Sequence, residues 1–275
     1  MAEPDPTVAL LAAILCGAAT SWPGEAPDPE DVVEAAVAHG VAPLLARAIG
    51  RAGGAWPRAF FDGLADAARG ETALAVVRER ALTPVLEALG AGGIRVLLIK
   101  GAHLAYAVYE SPEFRPRSDT DLLIDETDRD RTRAILERLG CAPVPHVSGE
   151  LVMPQFHFRR DDRSGAAHHL DVHWRLAVPQ AFSALPALAD LWDASMPIPA
   201  LGPTARGPSL ADALLVACAH RAAHHSAASA LIWIVDVQRI AERVSETEAA
   251  RFVESAARAR VRAVAGQALS VARDL

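Results

Sequence analysis

Two aspartates lie one residue apart directly before an apolar run in residues 115–125, RPRSDTDLLID. In an extended strand, residues two apart project to the same side about 6–7 Å from each other, so Asp119 and Asp121 must share a face. Two such carboxylates repel each other unless a cation lies between them. The stretch therefore predicts a buried strand that begins at a cation site, or at a turn, since Ser-Asp-Thr-Asp is also ordinary turn chemistry.

The spacing of apolar residues changes twice along the chain. Residues 7–90 follow helical spacing, with helix ends at Gly40 and Gly90. The apolar run 94–99 indicates a first strand, TDLLID a second, and residues 155–176 a hairpin with turn residues near 161–165. Helical spacing returns after the Pro-rich segment 196–208.

This order predicts an α+β fold. We expect an N-terminal helical region over residues 1–91, an α/β core with a small mixed β-sheet over 92–195, and a C-terminal helical region over 209–275. We expect the helices of the core on one side of its sheet.

Composition narrows the class of protein. A formal net charge of -7 argues against a protein that binds a long nucleic acid, so a small substrate is favoured. The three cysteines lie far apart without metal-ligand spacing, which indicates a reducing compartment. The apolar run 8–19 follows acidic residues and is too short to cross a bilayer, so we expect a cytoplasmic protein without a membrane segment.

A third aspartate follows in HHLDVHWRL. Strand alternation places Asp171 between His169 and His173 on one face. Those histidines could orient the carboxylate, bind phosphate or add a metal ligand. Aspartates from two adjacent strands are what a two-metal phosphoryl-transfer site requires, and Asp119, Asp121 and Asp171 supply oxygen ligands that suit Mg²⁺ or Mn²⁺.

Phosphate contacts are predicted upstream of the paired aspartates. Lys100 and Gly101 stand between the first strand and a short helix, where glycine lets backbone N–H groups approach a phosphate. Arg115 and Arg117 could hold a triphosphate by bidentate contacts or pair with Asp119 or Glu113 on the surface. Ser118 could touch phosphate or only start the strand.

Histidines also mark the C-terminal region. His220 and His224 stand four residues apart on one helix, without the further ligands that a zinc site needs. They could contact substrate or serve as structural histidines. Asp236 has apolar neighbours, which predicts a buried partner such as His220 or His224.

The motifs LLIKG, RPRSDTDLLI and LDVHW, in this order, resemble the DNA polymerase β-type nucleotidyltransferase superfamily. More closely, they resemble its bacterial group of uncharacterised nucleotidyltransferases. The His-rich helix followed by Trp-x-x-Asp is similar to that group too, so the resemblance covers about residues 35 to 245.

The resemblance implies a role for each matching residue. Asp119 and Asp121 match the metal-binding pair, Asp171 the third carboxylate and presumed base, and Gly101 the glycine that opens the nucleotide-binding helix. Ala102 stands where the superfamily usually has glycine or serine, and the stretch from Gly101 to Asp119 is longer than in the common form of the motif.

The function implied by the resemblance is Mg²⁺-dependent transfer of an NMP group from an NTP, such as ATP, to an acceptor, with release of pyrophosphate. The acceptor, a small molecule, a peptide or a protein, remains open, as do the base of the NTP and the oligomeric state. Two alternatives are a non-catalytic nucleotide-binding or protein-docking module on the same fold and metal-dependent hydrolysis that uses the histidines.

Overall fold

The computed structural model describes residues 5–144, 155–161, 166–177, 179–224 and 230–275. Four helices precede the sheet: α1 (Pro6–Leu15), α2 (Pro29–Ala38), α3 (Ala42–Ala52) and α4 (Arg58–Ala91). Within and after the sheet come α5 (Lys100–Ala107), α6 (Arg129–Arg138), α7 (Leu188–Trp192), α8 (Leu210–His224), α9 (Leu231–Ala241), α10 (Glu246–Arg258) and α11 (Arg262–Arg273). Most of the predicted hairpin turn, 162–165, and the side chain of His224 lie outside the described part.

The central sheet is mixed, as predicted. Its strands are β1 (Val96–Ile99), β2 (Asp119–Ile124), β3 (Ala142–Pro143), β4 (Gln155–Asp161) and β5 (Ala167–His173), in the order β1-β2-β5-β4-β3. β2 and β5 are parallel, and the other neighbouring pairs are antiparallel. A separate two-stranded ribbon, β6 (Met196–Pro197) with β7 (Arg206–Gly207), lies in the Pro-rich segment. The α+β class expected from the sequence is therefore confirmed.

One face of the sheet is mostly apolar. Alternate strand residues such as Leu122, Leu170 and Phe158 are buried there because they point away from the aspartates. The C-terminal half of α4 covers this face with Leu82 and Leu86, and α6 packs beside it. Burial of this kind contributes roughly 25 cal/mol per Å² of apolar surface, which fixes the register of the strands.

The other face is apolar at one end and polar at the other. Leu97 and Leu123 pack there against Leu191 of α7 and Val216 of α8. The expectation of helices on one side of the sheet is thus wrong, because α7 and α8 cover part of the second face. The uncovered end of that face carries the aspartates.

The N-terminal and C-terminal helices share one hydrophobic core. Residues of α1, α2 and α3 pack together with residues of α8, α9, α10 and α11. α4 spans two cores, since Phe60 and Leu64 contribute to the shared helical core, whereas its second half lies under the sheet. A 34-residue helix therefore fixes the sheet relative to the helical part.

A buried ion pair links α9 to the segment before β2. Arg115 donates to Asp236 from Nε and Nη2, at 2.8 Å to Oδ1 and 2.7 Å to Oδ2, and the Tyr109 hydroxyl donates to Oδ1 at 2.7 Å. The prediction of a buried partner for Asp236 holds, but the partner is Arg115 rather than a histidine. Arg115 therefore does not pair with a carboxylate on the surface.

Some boundaries differ from the sequence prediction. α4 runs one residue past Gly90 and is capped by Gly92, and the first strand starts at Val96 rather than at residue 94. α5 starts at Lys100, so this lysine opens a helix instead of ending a strand. In the described ranges, no helix combines the length and apolarity that a membrane crossing requires.

The Arg115–Asp236 pair yields a stability prediction. Replacing Asp236 by alanine leaves the Arg115 guanidinium buried without its counter-charge, and we expect a loss of about 3–5 kcal/mol in the free energy of unfolding. Urea titration measures it. Asp274→Ala is the control, because Asp274 forms an exposed pair with Arg273 and should cost less than about 0.5 kcal/mol. Similar losses in both variants would contradict this view of the pair.

Candidate active site

Three polar side chains lie in one row across the sheet. Asp121 of β2 is in register with Asp171 of β5, and Asp171 is in register with His157 of β4. Residues in register point to the same face, so the row places two carboxylates and an imidazole side by side. The row lies on the second face of the sheet, at the end that α7 and α8 do not cover.

Asp121 lies at the β2 end of the row and is buried. Its Oδ1 accepts from Lys100 Nζ at 2.5 Å and contacts His173 Nε2 at 2.8 Å. Burial alone would raise the pKa of Asp121, but the Lys100 ammonium and the His173 contact outweigh it and hold that pKa below its usual value. Asp121 is therefore an ionised carboxylate with one oxygen fully engaged.

Asp171 has its own partner, which the sequence analysis did not identify. His157 Nδ1 lies 2.8 Å from Asp171 Oδ1, and Gln155 Nε2 lies 2.8 Å from His157 Nε2. With the amide nitrogen facing it, Nε2 accepts, so Nδ1 carries the proton and donates to Asp171. The alternation in QFHF, polar at 155 and 157 and apolar between, is the signal that could have revealed this chain.

Asp119 faces the same cavity from the first position of β2. Burial, followed by the charges of Asp121 and Asp171, raises the pKa of Asp119 to about 6. Its carboxyl group is therefore the one that a further positive charge in the site would stabilise most in its ionised form.

A cavity of about 760 Å³ lies above these carboxylates. Lys100, Gly101 and His173 belong to its floor, beside the three aspartates. One wall comes from α8 and α9 and includes His220, which packs edge-on against Trp233 with ring centroids 6.0 Å apart. The volume falls within the range of small-molecule and cofactor pockets.

Arg117 lines this cavity, and no carboxylate in the described ranges forms an ion pair with it. The side chain is buried, and its Cζ lies 5.9 Å from the centroid of the Tyr106 ring. Within the described residues, none of its three nitrogens has a hydrogen-bond partner of normal geometry. Burial lowers the pKa of Arg117 from its ordinary value. A buried guanidinium without an anion is an unfilled half of an ion pair.

The remaining candidate residues divide between the cavity and other places. Ser118, His220 and Asp236 line the cavity. His169 is exposed on β5 and is not among the residues that line it. An added Cβ at Gly101 would lie 3.1 Å from Arg115 Nη1, so glycine here allows the guanidinium to pack against the helix start.

The donor set fits a divalent cation. One ligand atom each from Asp121, Asp171 and His173 lies within 4.8 Å of the others. Carboxylate oxygens suit Mg²⁺ or Mn²⁺, and Asp119 adds a fourth donor to the same cavity. Within the described residues, this is the one cluster with such spacing.

A mixed sheet that carries paired aspartates at the floor of a cavity defines a candidate metal-dependent site on an α+β scaffold. The chain belongs to the family of uncharacterised nucleotidyltransferases, whose family model matches residues 25–275. The family resemblance seen in the sequence is thus confirmed. No curated protein matches the chain.

Two solved structures are similar to this chain. One is the solution structure of the antibiotic-resistance factor ANT(2'')-Ia, with 15% identity, coverage of 70% of this chain and 97% of that chain, and a TM-score of 0.44. The other is the crystal structure of an antigenic nucleotidyltransferase-like protein from Paracoccidioides brasiliensis, with 13% identity, coverage of 70% and 92%, and a TM-score of 0.42.

The raised pKa of Asp119 predicts how stability depends on pH without metal. A carboxyl whose folded pKa exceeds its unfolded value binds more protons when folded, so stability falls as the pH rises from about 4 through about 6. Asp119→Asn removes this loss. In EDTA, we expect the variant to exceed the wild type by about 1–2 kcal/mol at pH 7.5, with the gap closing near pH 4. A gap that does not change with pH would contradict this prediction.

Proposed function

We propose that this protein is a Mg²⁺- or Mn²⁺-dependent nucleotidyltransferase that moves an NMP group from an NTP to a hydroxyl or similar nucleophile and releases pyrophosphate. The observation that carries the proposal is the juxtaposition of Asp119, Asp121 and Asp171 in one cavity with the guanidinium of Arg117, which pairs with no carboxylate of the described residues. Carboxylates suit a divalent ion, and a free guanidinium suits a phosphate.

The triphosphate is bound, in this proposal, at the end of the cavity that Arg117 and Ser118 line. Arg117 stays charged at neutral pH and offers five N–H donors in a planar fork, which matches phosphate oxygens. Gly101 lines the cavity at the first turn of α5, where partial positive charge favours an anion. Lys100 is less available, because its ammonium already contacts Asp121.

Asp171 is proposed as the base for the acceptor. The acceptor oxygen attacks the α-phosphorus, its proton passes to Asp171, and the bond to the β-phosphate oxygen breaks as pyrophosphate leaves. His157 holds Asp171 Oδ1, which leaves Oδ2 for the acceptor side. A bound divalent ion, held by Asp119, Asp121 and Asp171, would offset negative charge on the reacting phosphate.

The acceptor is proposed to be a small molecule or a peptide or protein side chain. Support comes from the volume of the cavity and from its wall of α8 and α9, with His220, Trp233 and Asp236. The most direct experiment incubates the protein with each α-³²P-labelled NTP, Mg²⁺ and a cell extract. Label on a new compound or protein identifies both substrates, and the Asp119→Ala variant should transfer none.

Nucleotide binding gives a second expected result. Mg²⁺ together with the correct NTP should raise the melting temperature, because a ligand that binds only the folded state stabilises it. Asp121→Ala and Arg117→Met should each lose this shift. Asp274→Ala, a surface carboxylate, should keep it. If the site variants shift as the wild type does, the nucleotide binds elsewhere.

Asp171→Asn separates chemistry from binding. The change keeps size and hydrogen bonding but removes basicity, and general-base contributions are about 10²–10⁴-fold. We expect transfer to fall at least about a hundredfold, while NTP·Mg²⁺ affinity stays within about tenfold, or 1.4 kcal/mol. Single-turnover transfer and equilibrium binding on one preparation measure the two effects. Unchanged turnover would remove Asp171 from the mechanism, and binding without turnover in the wild type would favour a nucleotide-binding module.

A further inference from the structure

Lysine occurs once in this chain. Of the 27 lysine and arginine residues, 26 are arginine, and the remaining one is Lys100. Lysine and arginine differ chemically: the ammonium is a compact point charge, whereas the guanidinium is a broad planar fork. The position of the single lysine therefore marks a place where the compact cation suits the site.

The contact made by Lys100 fits this difference. Its Nζ lies 2.5 Å from Asp121 Oδ1, and Lys100 lines the same cavity as Asp119 and Asp171. Arginine forms the other buried ion pair of the cavity, where Arg115 engages both oxygens of Asp236. A guanidinium contacts both oxygens of one carboxylate. An ammonium is compact enough to occupy the position of a single metal ion beside several carboxylates.

The backbone holds Lys100 in this place at a cost. Its φ is 52°, in the left-handed region that glycine prefers, at the junction of β1 and α5. A non-glycine residue is strained there, and such strain persists where the surrounding structure fixes it. Glycine at this position would relieve the strain but would remove the ammonium.

The formal charges of the side chains at the cavity floor indicate how many metal ions the site can hold. Asp119, Asp121 and Asp171 contribute three negative charges when ionised, and Lys100 returns one. The net charge of two is matched by one divalent ion, whereas a pair of divalent ions would leave an excess of positive charge before the nucleotide arrives.

We propose that the Lys100 ammonium takes the place of one of the two metal ions of a two-metal site, so that this enzyme works with a single divalent cation. The inference rests on the proposed function, because it assigns a role within the same metal site. Lys100 thereby acts on the reaction through Asp121 and through the charge of the site. This role also explains why the Lys100 ammonium contacts a carboxylate and is not available to bind phosphate.

Mn²⁺ electron paramagnetic resonance tests the proposal without measuring activity. Two Mn²⁺ ions in one site, typically about 3.5–4 Å apart, couple magnetically, whereas a single ion gives an uncoupled six-line spectrum. We expect an uncoupled spectrum for the wild type with excess Mn²⁺, alone and with each of the four α,β-methylene NTP analogues. A coupled spectrum in the wild type would overturn the single-metal inference and leave the proposed transferase in place.

Variants at Lys100 provide the positive side of the test. Lys100→Met removes the charge, and we expect a coupled Mn²⁺ pair with an analogue, together with Mn²⁺ affinity about tenfold tighter without nucleotide. Lys100→Gly serves the same purpose without backbone strain if the methionine variant does not fold. Arg78→Met is the matched control, since it removes a cavity-lining cation that pairs with Glu71 and not with Asp121, and its spectrum should stay uncoupled.

The remaining outcomes also decide. An uncoupled spectrum and unchanged Mn²⁺ affinity in both Lys100 variants would overturn the inference, because the ammonium would then not compete with a metal. Failure of Mn²⁺ to bind to the wild type and to every variant would overturn the proposed metal-dependent function itself.

Discussion

The pairing of β2 with β5 puts like charges side by side, and the rest of the site is arranged around that constraint. Parallel register aligns Asp121 with Asp171 on one face, and Asp119 follows one pleat away. Each carboxylate then needs a donor or a cation in a place with little water. Lys100 and His173 contact Asp121, and His157 contacts Asp171, whereas burial and the charges of Asp121 and Asp171 raise the pKa of Asp119.

Burial of the apolar face of the same strands offsets the repulsion between the crowded carboxylates. Leu122, Leu170 and Val172 are completely buried against α4, so a slip of one residue would carry aspartates into the core and leucines into the cavity. Hydrophobic burial therefore sets the register of the strands. The same register brings the carboxylates close together on the other face, at an electrostatic cost. Stability and a charged site come from the two faces of one sheet.

A structural feature can be predicted from the sequence when the residues that determine it are close together in the chain. Strand alternation is local, so the shared face of Asp119 and Asp121, and of Asp171 and His173, followed directly from spacing. Family membership and the mixed sheet followed from the order of motifs. Pairings across many residues did not: the partner of Asp236 lies 121 positions away and that of Asp121 lies 21 away, and no periodicity encodes either. His157 is an intermediate case. The alternation around it is visible in the sequence, but its contact with Asp171 depends on the register of the hairpin.

The Lys-Gly dipeptide shows how two adjacent residues serve two separate networks. Lys100 turns its backbone into the left-handed region and sends its ammonium to Asp121. Gly101, with no Cβ, leaves room for the guanidinium of Arg115, which in turn holds Asp236 of α9. The start of α5 thus contacts both the carboxylate row and the ion pair that anchors the C-terminal helices. A Cβ at Gly101 would require the Arg115 guanidinium to shift by a few tenths of an ångström, so a side chain there would act directly on the ion pair that holds α9 at the cavity wall.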